Sequence, residues 1–398
     1  MKLEKMPPEF VEVQPVMAAI KAAGFEAYIV GGSVRDVLLN KPIHDVDIAT
    51  SAFPEEIKQI FPRTIDVGIQ HGTVMVLEEE QQYEITTFRT ESTYQDFRRP
   101  DEVTFVRSLG EDLKRRDFTI NAFAIASDGE LIDLFDGLQD LRNKTIRAVG
   151  APQERFHEDA LRMMRGLRFA SQLEFDLEPQ TLAAIADNHA LLGKISVERI
   201  QIEFVKLLMG VDRAKGLIPF VETECYIYCP GLRQYGDALL RLADKPLRPL
   251  QEEAQAWTML VHEMGLSRDE IKEFMKEWKC ANHLIAKVQL LANGLTRRLT
   301  GFWDPLSAYQ MGGNIQLVEA LLYYYDQKPQ LNEAQAFYDA LPIHQREELA
   351  IDGRRLLTAL DAKPGPWLGQ LLQEIEEMVL LSQLENNTEA ILAFAKER

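Results

Sequence analysis

Cysteine is scarce in this chain of 398 residues. Cys225, Cys229 and Cys280 are all there are. An odd, sparse set argues against a disulfide framework and fits a reducing compartment, so a cytoplasmic protein is expected. Cys225 and Cys229 stand four apart, but no second Cys or His pair has zinc-like spacing, so they read as buried thiols. No apolar run approaches the ~18 residues of a membrane span, and no membrane partner is expected. The stretch MKLEKMPPEF has neither an apolar core nor a small-residue cleavage pattern, so no secretory signal is expected. Positive charge is in deficit: 44 Lys and Arg face 62 Asp and Glu, for a net charge of −18. That balance argues against a broadly basic coat for nucleic acid, though not against a local basic track. Repeats and low-complexity segments are lacking too.

What is present is ordinary globular material, 46% hydrophobic and 27% charged. The length suits two or more domains. Charge is unevenly placed. Residues 142–168 carry seven Arg or Lys against three acids. This suits an enzyme that meets nucleotide or nucleic acid at one place.

Periodicity divides the chain. Residues 9–23 have helical apolar spacing, with Gly24 as a stop. AYIVGG (27–32) reads as a buried strand, and Ser33 as the N-cap of a helix with Asp36 at the capping-box position. VDIAT (46–50) is a strand and 53–61 a helix. Residues 73–79 and 82–89 alternate like neighbouring strands. Residues 90–102 are polar and aperiodic, and read as a flexible loop. FTINAFAIA (118–126) is buried, GELIDLFDG is a strand and turn, and from 151 onward nearly every stretch is an amphipathic helix. The fold class is α+β: a small mixed-sheet domain, then an all-helical remainder.

Two features carry the chemistry. Residues 31–49 read GGSVRDVLLNKPIHDVDIA. In a strand, residues i and i+2 face one side, so Asp45 and Asp47 project together. Two parallel carboxylates repel unless a cation lies between them, and Mg2+, a hard ion, commonly bridges carboxylates and substrate phosphates. Gly31 and Gly32 at a helix start let a phosphate approach backbone N–H groups, and Arg35 can add a charge-assisted bond. A lone Gly-Gly or a lone D-x-D is usually unremarkable; both within one strand–turn–helix–strand unit point to a nucleoside triphosphate held with Mg2+.

Further along, KRRDFTINAF (114–123) places Arg115 and Arg116 together. Arg116 is the candidate for a triphosphate or sugar contact. Asp117 either bonds a ribose hydroxyl or pairs with an arginine, and Asn121 either bonds a ribose or is structural. In HEDALRMMRGLRFA (157–170), Asp159 and Arg162 are three apart on a predicted helix and share a face, which on spacing alone is an ordinary intrahelical ion pair. Arg165 and Arg168 extend the step. One aspartate cannot satisfy three arginines, so the stripe calls for an anionic partner. Glu84, on the strand 82–89, reads equally as a third active-site carboxylate or as a solvated residue.

GGSVRD…HDVDIAT resembles the signature of the polymerase-beta-like nucleotidyltransferase superfamily, in the class II form of tRNA nucleotidyltransferases (CCA-adding enzymes) and bacterial poly(A) polymerases. The resemblance spans about residues 25–210. It implies that Asp45 and Asp47 are catalytic and bind the metal, and that Gly32, Arg35 and Arg116 hold the nucleotide. It implies that Asp159 and Arg162, in the EDxxR motif, read the base of CTP or ATP, with Arg165 and Arg168 holding phosphates or orienting Asp159. The segment 87–105 is similar to a family loop ending in Arg-Arg-Pro (here Arg98, Arg99, Pro100) that favours full CCA addition. DLFDGLQDL (133–141) matches a hinge-like element, and SVERIQIEF (196–204) a neck motif in which Glu198 and Arg199 are expected to be structural. The implied division is a head (1–150), neck (151–210), body (211–320) and tRNA-binding tail (321–398). The implied function is addition of C, C and A to tRNA with release of pyrophosphate. A poly(A) polymerase of the same class, or an inactive RNA-binding module on this fold, stays open, as does a homodimer.

Overall fold

The computed structural model describes residues 1–78, 81–91, 94–95, 99–100 and 103–398. They form two compact units, Met1–Ala243 and Asp244–Arg398.

The first unit is built on a seven-stranded sheet. Its strands are β1 (Ala27–Val30), β2 (Asp47–Thr50), β3 (Thr64–Gly68), β4 (Thr73–Glu78), β5 (Gln81–Thr87), β6 (Phe123–Ile125) and β7 (Leu131–Asp133). Their order is β7-β6-β1-β2-β5-β4-β3. All neighbours are antiparallel except β2 and β5, which run parallel with Ile48 opposite Ile85. One face of the sheet is covered by Phe10, Val16, Met17 and Ile20, packed on Ile29, Ile48, Val74 and Ile85. These residues alternate along their strands, as a half-covered sheet requires.

Several expectations change in detail. The helix over 9–23 is broken at Val13 into Pro8–Glu12 and Gln14–Ala22. Pro15 lacks the N–H that would continue the first helix. Ser33 is not an N-cap. The helix α1 spans Gly32–Leu38 and is capped by Gly31 at φ +78°, while the Ser33 hydroxyl donates to the Val30 carbonyl at 3.2 Å. Asp36 makes no capping box and binds Arg35 instead. The segment expected as a flexible loop carries strand pairing: Arg89–Glu91 with Val103–Phe105, and Tyr94–Gln95 with Arg99–Pro100. Residues 92–93, 96–98 and 101–102 lie outside the described residues, and Arg98 with them.

Beyond the sheet come α2 (Pro152–Glu158), α3 (Leu161–Leu173) and α4 (Val197–Leu208). Gly166 lets α3 approach the sheet domain closely, since a Cβ there would stand 2.9 Å from the Phe118 ring. Phe118 in turn meets Phe169 edge-on at 5.9 Å.

The second unit is helical throughout its described residues. Trp257, Phe274 and Trp278 pack edge to face inside it. Arg298 is paired with the fully buried Glu319, which also accepts from the Trp303 indole at 2.7 Å. Among the described residues no helix is long and apolar enough to cross a membrane.

Candidate active site

A cavity of about 650 Å3 opens over the sheet of the first unit. It is lined by the turn after β1, the start of β2, Thr73, Thr86 and Arg89 at the β4–β5 side, the segment 115–121, Asp159 with α3, and Arg199 of α4. Of the nine residues to which the resemblance gives a catalytic or nucleotide-binding role, eight line it: Gly32, Arg35, Asp47, Arg116, Asp159, Arg162, Arg165 and Arg168. Asp45 does not, but it is exposed two residues before β2 begins and acts electrostatically on Asp47.

The carboxylate end is set by strand register. Asp47 opens β2 opposite Val30, the last residue before the glycines. Gly31 must be glycine: its φ is +78°, and a Cβ would stand 3.3 Å from the Arg116 guanidinium and 3.5 Å from the Asp47 carboxylate. The parallel register of β2 and β5 puts Glu84 beside Asp47 on the same face. Burial raises the Asp47 carboxyl above its usual range; Arg116 opposes this, and Glu84 and Asp45 add to it. The side chains of Asp45, Asp47 and Glu84 have no hydrogen-bond or ion-pair partner among the described residues. Hard oxygen donors left unpaired beside one another fit a divalent cation whose remaining ligands come from substrate and water. Among the described residues no group of three or more donors is gathered tightly enough to hold a metal unaided.

The arginine end is built differently. Asp117 is buried and accepts from Arg165 at 2.7 Å and from Asn121 at 3.2 Å. Burial alone would raise its carboxyl, yet Arg165, Asn121 and Arg162 hold it down at about 2. Of the two readings of Asp117, the arginine partner is the one found. Asn121 also accepts from Arg35 at 2.7 Å, so it links Arg35 to Asp117. Arg116 reaches Asp112 at 3.1 Å, and Arg115 reaches the same carboxylate at 2.8 Å. Arg168 pairs with Glu203 at 2.5 Å and lies 3.9 Å over the Phe169 ring. Arg35 and Arg165 flank that ring at 5.2 and 5.4 Å. The stripe therefore does not wait for an outside anion: carboxylates from other elements already meet it.

Asp159 departs from its expected place. It is not on a helix with Arg162 but in the break between α2 and α3, extended at φ −140° and ψ 105°. Its Oδ1 accepts the Leu161 N–H at 3.0 Å and so starts α3. Its Oδ2 accepts from Arg199 at 2.7 Å. Arg162 pairs with Glu158 at 2.5 Å and donates to the Arg115 carbonyl at 2.9 Å. Asp159 and Arg162 still line one cavity, each fixed by its own partners.

Sequence reasoning missed three residues here. Arg199 was expected to be structural, yet it lines the cavity and orients Asp159. Glu203 and Phe169 were not singled out at all. Glu203 had a signal: it is a carboxylate on the face of α4 that also carries Ile200, Phe204 and Leu207, and it is 6% exposed. A charge on a buried stripe requires a partner.

Comparison with known proteins agrees with this geometry. Residues 27–147 match a family described as the poly A polymerase head domain, and residues 174–234 a probable RNA and SrmB-binding site of polymerase A. Residues 248–395 match a putative tRNA nucleotidyltransferase domain 2. A CCA-adding enzyme of Enterococcus faecalis is 64% identical over all of this chain and 98% of its own length. One from Limosilactobacillus fermentum is 52% identical over all of this chain and 99% of its own. The Bacillus stearothermophilus CCA-adding enzyme, solved in complex with CTP, superimposes with a TM-score of 0.91 at 39% identity, over 99% of this chain and 98% of that one. A cavity that joins an unpaired carboxylate strand to a braced arginine cluster is thus found in a chain that belongs to the CCA-adding enzyme family of nucleotidyltransferases.

Proposed function

We propose that this enzyme adds C, C and A to the 3′ end of tRNA from CTP and ATP and releases pyrophosphate. The observation that carries the reading is the single cavity in which Asp47, the Gly31–Gly32 turn, Arg116, Asp159 and Arg162 converge. The poly(A) polymerase alternative loses ground to relatives named CCA-adding enzymes over the whole length.

The 3′-oxygen of the tRNA attacks the α-phosphorus of the nucleotide in line. The bond from that phosphorus to the α–β bridging oxygen breaks, the hydroxyl proton is lost to solvent, and pyrophosphate leaves. Asp45 and Asp47, with Glu84 beside them, are the residues that would hold Mg2+. When bound, the ion lowers the pKa of the attacking hydroxyl and neutralises charge on the leaving group. The open turn at Gly31 and Gly32 admits the triphosphate to the start of α1, and Arg35 and Arg116 flank it. Arg165 and Arg168, anchored by Asp117 and Glu203, add positive charge without having to reorganise.

Base choice falls to Asp159 and Arg162. Cytosine and adenine each offer an amino donor beside a ring-nitrogen acceptor, which suits a carboxylate next to a guanidinium. Uracil and guanine offer the reverse. At about 1–3 kcal/mol per mismatched contact, discrimination is roughly 5- to 150-fold each. Each Asp159 oxygen already accepts one hydrogen bond, and a carboxylate oxygen can accept a second. The four-part division into head, neck, body and tail, tRNA as partner, and a cytoplasmic setting belong to the same proposal; the free, buried cysteines support the last.

The test is equilibrium binding of the four nucleoside triphosphates to the full chain with Mg2+. CTP and ATP should bind tenfold or more tighter than UTP and GTP, a factor of about one contact. Equal affinities would remove the base-reading role from Asp159 and Arg162.

A further inference from the structure

Transfer requires two substrates to meet at Asp47, yet every nucleotide-holding group assigned above lies to one side of it. Gly31, Gly32 and Arg35 follow β1, and Arg162, Arg165 and Arg168 come from α3. On the other side of β2 the sheet continues into β5 and β4. The cavity continues with it, lined there by Thr86 of β5, Thr73 of β4, and Arg89. We propose that this end, Thr73 and Thr86 with Arg89, is the subsite for the terminal nucleotide of the RNA being extended. The proposal rests on the nucleotidyl-transfer reading.

Register supports the placement. Thr86 is level with Ala49 and with Thr73, so both threonines lie two residues along from Asp47 and Glu84 on the same face. Adjacent strands are about 4.8 Å apart, so the pair begins one strand beyond Asp47, on the strand that carries Glu84. The two hydroxyls are 3.1 Å from each other. Each can donate once and accept twice, so their mutual bond leaves one donor and several lone pairs. A ribose hydroxyl is likewise donor and acceptor. Arg89, braced by the His71 carbonyl, adds the cation that a phosphodiester needs. Among the described residues, Thr73, Thr86 and Arg89 present no pattern selective for one base, as a primer whose last base changes between additions requires. Cross-strand threonine pairs also stabilise sheets unaided, but this one faces the cavity that holds Asp47.

The test couples the protein to the primer. The double variant Thr73→Val/Thr86→Val keeps branched side chains suited to a strand. Single-turnover addition of C is measured on tRNA lacking CCA and ending in either ribose or 2′-deoxyribose, together with the CTP dissociation constant. The account expects the variant to slow about 5- to 10-fold on the ribose end, the size of one lost hydrogen bond. Wild type should slow by a similar factor on the deoxy end, and the two losses should not multiply. CTP affinity should stay unchanged, and Thr86→Ser should restore the wild-type rate. Multiplying losses, no loss, or a weakened CTP affinity would each overturn the subsite while wild type still extends tRNA. Failure of wild type to extend either tRNA would overturn the transfer reading, and the subsite with it.

Discussion

The two ends of the cavity handle charge in opposite ways. At the strand end, Asp45, Asp47 and Glu84 stand close together with no partner for their side chains among the described residues. At the helix end, Arg116, Arg162, Arg165 and Arg168 each meet a carboxylate from another position: Asp112, Glu158, Asp117 and Glu203. Repelling carboxylates destabilise the empty site and are relieved by a bound cation. Braced arginines give up some charge but keep their geometry, which is what base selection needs. The comparison teaches that one end is arranged for chemistry and the other for position.

Substitutions can break that contrast. Asp47→Ala has the largest expected effect: loss of at least about a thousandfold in nucleotide incorporation, since the metal supplies most of the charge stabilisation. Its melting temperature should hold or rise, because a repelling carboxylate is gone; a lower one would mean the strand end is braced after all. Asp117→Ala should behave oppositely. Removing the buried Asp117 carboxylate takes away the acceptor of Arg165, Asn121 and the Phe118 N–H, which costs about 1–3 kcal/mol, visible as a lower denaturation midpoint.

The same aspartate gives a pH test. Its folded pKa, about 2, lies below the ordinary aspartate value of 3.8. The stability it contributes is therefore fully present above about pH 4 and is lost as pH falls through 2. In wild type this is on the order of 2 kcal/mol. Acid unfolding of Asp117→Asn should lack that component.

Asp159→Ala should leave incorporation of C measurable but lower its preference over U by about 5- to 150-fold, read as misincorporation. Arg199→Met should produce part of that loss, because it removes the partner that orients Asp159. The smallest effect belongs to Phe169→Leu. It removes the ring between Arg35, Arg165 and Arg168, and should weaken CTP binding by about 1 kcal/mol, with Phe169→Tyr close to wild type.

How much was legible in the sequence also differs between the ends. At the strand end GGSVRD and HDVDIAT are local, and a period of two put Asp47 on the cavity face, while Asp45 lies outside β2 and does not line the cavity. Even there, Ser33 was misplaced as a cap, since Gly31 takes the positive φ and leads the chain straight into helix. The helix end was legible in its arginines and in Asp117 as a partner for one of them, but not in which arginine it meets or in Glu203 and Arg199. Asp117 meets Arg165 across 48 residues, and Asp159 meets Arg199 across 40. No local spacing encodes such pairs. The break at Asp159 was hidden because no Pro or Gly marks it; the side chain itself caps the next helix. The resemblance to the nucleotidyltransferases singled out Asp159 and Arg162 as base readers; both line one cavity, but the shared helical face expected of them does not form, because Asp159 is extended before α3.

The most direct measurement is end-group mass spectrometry of tRNA lacking CCA, incubated with the enzyme, Mg2+ and all four nucleoside triphosphates, beside Asp47→Ala. The account predicts a product longer by C, C and A that then stops growing, and none with Asp47→Ala. A ladder of A, a product ending after two C, or equal extension by Asp47→Ala would contradict it.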